Sequence, residues 1–362
     1  MQSIQSVSTG KRPIVVTILG ARPQFIKAAP VSKALAAADI DEVMIHTGQH
    51  FDDNMSELFF RELDIRKPKY NLEINGLSHG AMTGRMLEEI EKILVEEKPD
   101  LVVVYGDTNS TLAGGLAASK LHIPIAHVEA GLRSFNRAMP EEINRIVVDH
   151  ISTLLFCPTA TAVDHLNSEN IHVGVMHVGD VMMDTTLAAI ERASATSDIL
   201  ARFDLQSKHY AVATLHRAEN TNDAARFQEL INWLDDQPVD KILMPVHPRT
   251  RQRLSELKSP ARKLVLVEPL GYIDMAWLVH NASAVFTDSG GLQKEAYFHG
   301  VPCVTLRDET EWVETIDAGW NRLWNGPEYK SRRSISDYGT GEASSQIAAA
   351  IKEFIIRREK TS

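Results

Sequence analysis

The sequence predicts an α/β protein made of two doubly wound domains with parallel sheets. Runs rich in valine and isoleucine alternate with amphipathic, helix-length segments along almost the whole chain. The apolar runs are continuous rather than alternating, which is typical of strands buried on both faces by helices. The chain has 362 residues, a length that accommodates two domains of ordinary size.

The strands and helices follow from the hydrophobic pattern, taken in chain order. Strands are predicted at residues 14–19, 43–47, 101–105, 125–128, 154–157, 211–214, 242–245, 264–267, 284–287 and 303–306. Apolar residues at helical spacing predict helices at 78–97, 184–192 and 223–235, and 347–356 is a further amphipathic segment.

The alternation of strands and helices pauses around residues 179–209, where a polar run at 194–198 follows the helix at 184–192. We place the domain boundary in this region. The predicted division is an N-terminal domain at 12–180, a C-terminal domain at 181–340 and a terminal segment at 341–362. The first eleven residues are mostly polar and are predicted to form a loose tail.

Composition restricts the classes of partner. The net charge is −10, from 38 basic and 48 acidic residues, which disfavours non-specific binding to nucleic acid or to an anionic membrane. No apolar run approaches the length of a membrane-spanning helix. Cys157 and Cys303 lie among apolar residues and are interpreted as buried thiols of a reducing compartment. We therefore expect a soluble, cytoplasmic protein, and no dense ligand spacing predicts a metal site.

In doubly wound folds ligands bind beyond the carboxyl ends of the strands, so the residues that follow each strand are the first candidates for function. Polar and charged side chains are abundant at these positions in the N-terminal half. They are Arg22 and Lys27 after the first strand, Asp107 after the third, Glu129 after the fourth, and Glu141 and Arg145 in the helix that follows.

Three of these side chains, Asp107, Glu129 and Glu141, are carboxylates, and His216 follows the first strand of the second half. Such a set provides the groups that general acid–base catalysis requires. Structural roles remain open for each: Asp107 could cap a helix, Glu129 could pair with Arg133, and Glu141 could decorate a first helical turn. The nearby cations, including Arg217, indicate an anionic ligand.

A second candidate site is the turn Ser289-Gly290-Gly291, which leads from a strand into a helix. Glycines allow close backbone approach, and a helix N-terminus favours an anion such as a diphosphate. The alternative is a turn that uses glycine for its geometry alone. No nicotinamide or ATP fingerprint is present, so no cofactor is predicted. His247, at another strand end, is a candidate ligand contact.

Seven segments together carry a family resemblance. They are Gly-Ala-Arg-Pro-Gln-Phe-Ile-Lys at 20–27, His-Thr-Gly-Gln-His at 46–50, Tyr-Gly-Asp-Thr at 105–108, His-Val-Glu-Ala-Gly-Leu-Arg at 127–133, Pro-Glu-Glu-Ile-Asn-Arg at 140–145, His-Arg-Ala-Glu-Asn at 216–220 and Thr-Asp-Ser-Gly-Gly-Leu-Gln-Lys-Glu-Ala at 287–296. In this order, they resemble the non-hydrolysing UDP-N-acetylglucosamine 2-epimerases from residue 14 to about 350.

The resemblance implies a GT-B architecture of two Rossmann-like domains with the active site in the interdomain cleft, a terminal helix that crosses back to the first domain, and a homodimer. Asp107, Glu129, Glu141 and His216 match the family's catalytic positions. Its UDP-binding positions match Arg22, Lys27, Arg145, Ser289, Gly290 and Glu295, to which we add Arg217, His247 and Gly291. The implied reaction inverts C2 of a UDP-sugar by elimination and re-addition of UDP.

Two departures from the commoner family pattern bear on the substrate. Ala218 and Trp312 stand where arginines are usual, and this variant resembles the branch that epimerises UDP-2,3-diacetamido-2,3-dideoxyglucuronic acid for O-antigen synthesis. Arg133, Arg217 and Arg307 are candidates for binding its sugar carboxylate. UDP-N-acetylglucosamine is the alternative substrate, and an allosteric substrate site near Gln49 and His50 is left open.

Two other functions remain as alternatives. A GT-B glycosyltransferase would need an acceptor, whereas an epimerase exchanges the C2 hydrogen of a UDP-sugar alone. A nucleotide-sugar sensor without catalysis would be expected to lack one or more acid–base groups.

Overall fold

The computed structural model describes residues 12–49, 61–246, 248–255, 257 and 261–360, without the side chains of Pro248 and Arg249. The predicted tail at 1–11, His50 and His247 lie outside the described residues. The chain divides into two compact units. The first contains the residues up to Val181 and those from Asp337 onward, and the second is Met182–Ser336.

The first unit is built on a seven-stranded parallel sheet with strand order β3-β2-β1-β4-β5-β6-β7. Its strands are β1 Ile14–Leu19, β2 Asp41–His46, β3 Tyr70–Asn71, β4 Leu101–Tyr105, β5 Ile125–Val128, β6 Leu154–Cys157 and β7 Val175–His177. The central strands are buried and, apart from His127 of β5, mostly apolar, which is why they occupy the middle of the sheet.

Helices cover the sheet of the first unit. They span Arg22–Ala37, His79–Glu97, Asn109–Lys120, Pro140–Ile151, Ala160–Ser168 and Ala343–Glu359, and a short 3₁₀ helix lies at Ser336–Tyr338. Val16, Ile18 and Val104 of the sheet pack with Met86 and Ile90 in a hydrophobic core cluster. The terminal helix Ala343–Glu359 packs against helix Arg22–Ala37, whose residues lead out of β1.

The second unit has a six-stranded parallel sheet of order β10-β9-β8-β11-β12-β13. Its strands are β8 Ala211–Thr214, β9 Ile242–Pro245, β10 Leu264–Val267, β11 Ala284–Thr287, β12 Cys303–Thr305 and β13 Asn321–Leu323. Its helices are Val181–Thr196, Ile199–Arg202, Ala218–Thr221, Ala224–Asp235, Pro248–Ser255, Tyr272–His280, Gly290–Phe298 and Val313–Asp317. Two core clusters contain alternate residues of β8, such as Val212 in one and Ala213 in the other.

Local capping fixes where several helices begin. Thr108 accepts a hydrogen bond from the Thr111 amide, and Asp223 accepts from the amides of Ala225 and Arg226. Gln24 is buried: its Oε1 accepts from the amides of Gly20 and Ala21, and its Nε2 donates to the Tyr105 carbonyl. The end of β1 is therefore tied to the end of β4.

All ten predicted strands are present, and two need a correction of their bounds. The strand predicted at 43–47 is Asp41–His46, and that predicted at 303–306 is Cys303–Thr305. The helix predicted at 184–192 is longer, Val181–Thr196. Cys157 and Cys303 are free and buried as predicted, and burial raises the pKa of Cys157 to about 12. No helix of the described residues combines the length and apolarity needed to cross a membrane.

Candidate functional site

The predicted carboxylates Asp107 and Glu129 lie at the ends of the neighbouring strands β4 and β5. Gly106 adopts a left-handed conformation with φ of +61°, which glycine tolerates and which turns the chain at the end of β4. Glu129 also has a positive φ, +69°, which is uncommon for a residue with a side chain. The amides of Glu129 and Ala130 both donate to the Phe156 carbonyl, so the neighbouring strand β6 holds this turn in place.

Glu129 forms an ion pair with Lys27, from the helix that follows β1. Both side chains are largely buried, with 10% of Glu129 and 14% of Lys27 exposed. A Cβ placed on Gly106 would lie 3.2 Å from Oε2 of Glu129 and 3.6 Å from Nζ of Lys27. The residues that follow β1, β4 and β5 thus meet, and the absence of a side chain at Gly106 leaves room for the pair.

Asp107 pairs with Arg145, and Nη1 of Arg145 lies 2.5 Å from Oδ2 of Asp107. Burial raises the pKa of Asp107 above its ordinary value, and the charges of Glu129 and Glu141 act in the same direction. Arg145 and Lys27 oppose this rise without cancelling it. Asp107 is therefore a carboxyl group held closer to protonation than a free aspartate, which suits a group that exchanges protons.

In the first turn of helix Pro140–Ile151, Glu142 rather than Glu141 is buried. It accepts hydrogen bonds from the amides of Ser134 and Phe135 at 2.9 Å and from Nε of Arg145 at 3.1 Å. Burial alone would raise the pKa of Glu142, but these donors outweigh it and hold the pKa below its usual value. Glu142 thus orients Arg145 toward Asp107. Sequence reasoning missed it, although its position beside Glu141 was the available signal.

A charge network that is buried except at Glu169 lies behind the two strand ends. His127 of β5 bonds through Nδ1 to Asp149 and through Nε2 to the Gly106 carbonyl, each at 2.7 Å. Arg133 donates to Asp149 at 2.7 Å and to Glu169 at 2.6 Å. Burial would raise the pKa of Asp149, but His127 and Arg133 outweigh burial and lower it.

These contacts exclude two structural roles considered above, a pair of Glu129 with Arg133 and a helix cap by Asp107. Arg133 pairs with Asp149 and Glu169, whereas Glu129 pairs with Lys27. The side chain that caps helix Asn109–Lys120 is Thr108, not Asp107. Glu141 is exposed in the first turn of its helix, and Arg22 is exposed at the start of helix Arg22–Ala37. The structure therefore gathers Lys27, Asp107, Glu129, Glu141 and Arg145 in the first unit.

The second unit holds the other predicted residues. His216 and Arg217 follow β8, and their amides donate to the buried carboxylate of Asp288, which follows the adjacent strand β11. Nδ1 of His216 lies 3.2 Å from Oδ1 of Asp288, and 57% of the His216 side chain is exposed. Asp288 was present in the quoted sequence segment at 287–296, but its partner could not be read from the sequence.

Ser289 precedes helix Gly290–Phe298, with Gly290 and Gly291 in its first turn and half-buried Glu295 one turn later. A Cβ on Gly290 would lie 2.3 Å from Oε1 of Glu311, whereas a Cβ on Gly291 would meet nothing within 4 Å. The helix N-terminus is thus covered at Gly290 by a carboxylate and open at Gly291.

The two positions that depart from the commoner family pattern lie in this unit. Ala218 begins the short helix Ala218–Thr221, and the Trp312 ring packs 4.2 Å from Nζ of Lys294. Arg307 pairs with Glu311 and Glu219 and is only 10% exposed. Among the described residues, no group of three or more His, Cys, Asp and Glu side chains is arranged to hold a metal ion.

The arrangement offers two chemical functions. In the first unit, a carboxyl group with a raised pKa lies among other carboxylates and two cations, which supports proton transfer to and from carbon. In the second unit, a helix N-terminus and the Arg217 guanidinium provide donors for an anion, beside an accessible imidazole.

Comparison with known proteins agrees with this description. The family described as UDP-N-acetylglucosamine 2-epimerase matches residues 33–352. A Methanococcus maripaludis protein named UDP-N-acetylglucosamine 2-epimerase homolog is 53% identical over 330 residues, 90% of this chain and 92% of its own. The Pseudomonas aeruginosa UDP-2,3-diacetamido-2,3-dideoxy-D-glucuronate 2-epimerase is 49% identical over 352 residues, 92% of this chain and 98% of its own.

Among solved structures, the Methanocaldococcus jannaschii UDP-GlcNAc 2-epimerase, in complex with UDP-GlcNAc and UDP, is 42% identical and superposes with a TM-score of 0.81. The match covers 94% of this chain and 99% of that one. The predicted fold class, an α/β GT-B architecture with two Rossmann-like doubly wound domains, is therefore confirmed. The chain belongs to the UDP-N-acetylglucosamine 2-epimerase family and is an isomerase of the UDP-sugar 2-epimerase type.

Proposed function

We propose that this enzyme inverts C2 of UDP-2,3-diacetamido-2,3-dideoxyglucuronic acid without hydrolysing it. The observation that carries the reaction type is the set of Asp107, Glu129 and Glu141 with Lys27 and Arg145, gathered at the ends of β4 and β5. Inversion without a redox cofactor needs a base that removes the C2 proton and an acid that returns one to the opposite face.

The reaction proceeds by elimination and re-addition. A base removes the C2 proton as the bond from C1 to the UDP oxygen breaks, which leaves a 2-acetamidoglucal-type intermediate and UDP. UDP then adds back at C1 while C2 receives a proton on the other face, so every atom of the substrate except the exchanged C2 hydrogen is retained. The carboxylates of the first unit move the C2 proton, and His216 is a further acid–base group.

In the second unit, the diphosphate binds the amides at the N-terminus of helix Gly290–Phe298, on the open side at Gly291. Ser289 lies at the same helix start, and Glu295 is assigned to the ribose hydroxyls. Arg22, Lys27 and Arg217 supply positive charge for the departing UDP. His247 remains a proposed ligand contact.

The uronic acid substrate is supported by the 49% identity to the P. aeruginosa enzyme and by Ala218 and Trp312. Of the three arginines considered for binding the sugar carboxylate, two already have acidic partners. Arg133 is buried against Asp149 and Glu169, and Arg307 is occupied by Glu219 and Glu311. The Arg217 guanidinium makes no polar contact with the residues that the structure describes, so we assign the sugar carboxylate to Arg217.

UDP-N-acetylglucosamine is the alternative substrate, favoured by the name of the 53% identical M. maripaludis homolog. With the uronic acid, the enzyme would supply a manno-configured sugar to cell-surface polysaccharide such as O-antigen, and we propose a cytoplasmic homodimer.

Proton NMR in deuterated water with each UDP-sugar alone tests both the epimerase reaction and the choice of substrate. We expect C2 exchange without an acceptor, and a higher kcat/KM for the uronic acid than for UDP-N-acetylglucosamine. Arg217→Gln should lower kcat/KM for the uronic acid at least tenfold more than for UDP-N-acetylglucosamine, because both substrates lose positive charge at the departing UDP but only the uronic acid also loses a charged hydrogen bond to its sugar carboxylate. A preference of the unaltered enzyme for UDP-N-acetylglucosamine would establish the alternative, and no exchange with either sugar would contradict the epimerase itself.

A further inference from the structure

Asp288 is a fully buried carboxylate whose partners come from the loop that follows β8. Its Oδ2 accepts from the amide of Arg217 at 2.9 Å, the amide of His216 at 3.0 Å and Nδ2 of Asn220 at 3.1 Å. Its Oδ1 accepts from the same His216 amide at 3.2 Å and also lies 3.2 Å from Nδ1 of His216. One carboxylate thus binds the backbone of His216 and pairs with its ring.

The sheet explains why these groups meet. β8 and β11 are parallel neighbours in which Thr214 is paired with Thr287, so the residues beyond their carboxyl ends emerge side by side. Asp288 donates its own amide to the Thr214 carbonyl, which fixes its backbone beside the loop at His216. The N–H donors of His216, Arg217 and Asn220 then hold the carboxylate in this loop.

The donors around Asp288 indicate its charge state. A buried carboxylate needs compensating hydrogen bonds, and three N–H groups supply them at Oδ2. An ionised carboxylate only accepts hydrogen bonds, so its position beside the ring favours the form in which Nδ1 carries the proton. His216 then holds a proton on Nδ1, and in the neutral ring Nε2 carries the lone pair. Because more than half of the side chain is exposed, the Nε2 edge remains accessible.

We propose that Asp288 is a positioning residue for His216. It fixes the ring orientation and the Nδ1–H tautomer, and it stabilises the imidazolium that forms when Nε2 accepts a proton. The proton taken up at Nε2 is returned in the opposite step, so neither residue changes its proton count over a complete reaction. This inference rests on the proposed function, in which His216 is an acid–base group.

The tautomer is tested first in the unaltered protein by ¹⁵N NMR of labelled histidine rings, with the His216 signals assigned by their loss in His216→Gln. At a pH where the ring is neutral, we expect a protonated Nδ1 and an unprotonated Nε2. The opposite tautomer would overturn the proposal. This measurement needs no substrate and no Asp288 variant.

The second test is Asp288→Asn, because an amide can also hold the ring in the wrong tautomer. We expect kcat for C2 exchange of the better UDP-sugar substrate to fall about 10²–10⁴-fold, while the Kd for UDP stays within about threefold. The matched control is Asp274→Asn, since Asp274 binds Ser197 and Arg202 elsewhere in the same unit. This control should keep the unaltered kcat.

The outcomes separate the two claims. Unchanged kcat in Asp288→Asn, or a loss of UDP affinity as large as the loss of kcat, would overturn the positioning role. The expected tautomer together with full activity of His216→Gln would support the pairing with Asp288 and contradict the acid–base role of His216. If Asp288→Asn does not fold, the tautomer in the unaltered protein decides.

Discussion

Asp107 combines a raised pKa with an ion pair to Arg145. The pKa of Asp107 is higher in the folded protein than in the unfolded chain. Between these two pKa values, the folded protein therefore binds more protons than the unfolded chain does. Stability therefore falls as the pH rises between them, and the deficit remains at neutral pH. A residue that lowers stability while lying among other ionisable groups is typical of a functional site.

We predict that Asp107→Asn slows C2 exchange about 10²–10⁴-fold and raises the free energy of unfolding at pH 7 by up to about 1 kcal/mol. Urea denaturation and NMR exchange measure the two effects. The control Asp149→Asn should instead lower stability by about 3–5 kcal/mol, because it breaks the buried pairs with His127 and Arg133. An Asp107→Asn protein that is less stable than the unaltered enzyme would contradict this account.

At the scale of a single helix, the two glycines of helix Gly290–Phe298 have different surroundings. Both glycines are predicted from the sequence to allow close backbone approach, but a Cβ at Gly290 would meet Glu311, so a valine there would first displace Glu311. Gly291 has open space and no positive φ, so alanine fits the unliganded structure. The effect of a side chain at Gly291 on UDP therefore reports on the ligand site alone.

We predict that Gly291→Ala leaves stability unchanged or raises it by up to about 1 kcal/mol, while it weakens UDP binding at least about tenfold by blocking the amides of the first turn. Calorimetry with UDP and thermal unfolding measure this. Gly84→Ala is the matched control, because Gly84 lies in helix His79–Glu97 with nothing within 4 Å of an added Cβ. UDP affinity equal to that of the unaltered protein in folded Gly291→Ala would exclude the proposed diphosphate position.

The strands show what a sequence pattern can predict. All ten predicted strands were found, because continuous apolar runs mark strands with two buried faces. The three missed strands, β3, β7 and β13, all lie at sheet edges and have two or three residues each. Tyr70–Asn71 contains no apolar run, and pairing with Ile45 and His46 of β2 is what makes it a strand. Such pairing is a tertiary property that a local pattern does not contain.

For the candidate site too, the sequence pattern predicts positions along the chain but not contacts between distant residues. Strand-end positions indicated Asp107, Glu129 and His216, because parallel strands bring their carboxyl ends to one edge. The partners of Glu142 lie within eight residues of it, whereas the contacts of Asp149 and Asp288 join separate elements of the fold, which no spacing along the sequence encodes. The pairing of Glu129 with Lys27 rather than Arg133 is of the same kind.

Buried histidines occur in both units and set a response of the whole molecule to acid. Burial lowers the pKa of His46 in the first unit. In the second unit, burial lowers the pKa of His299 from 6.5 to about 3, and the charges of His280 and Lys208 add to this effect. The folded-state pKa of His299 lies below its unfolded-state value, so its contribution to stability is present above pH 6.5 and is lost as the pH falls toward 3.

We predict that the free energy of unfolding decreases below pH 6.5 with a slope of up to about 1.4 kcal/mol per pH unit for each such histidine. His299→Gln should flatten this slope between about pH 6.5 and pH 4.5. Glutamine does not titrate, so the unfolded chain of the variant no longer takes up a proton at position 299. Urea denaturation at a series of pH values measures the slope. His172→Gln, at an exposed histidine, should reproduce the unaltered curve. Parallel curves for the unaltered protein and His299→Gln would show that His299 does not set the acid response of the molecule.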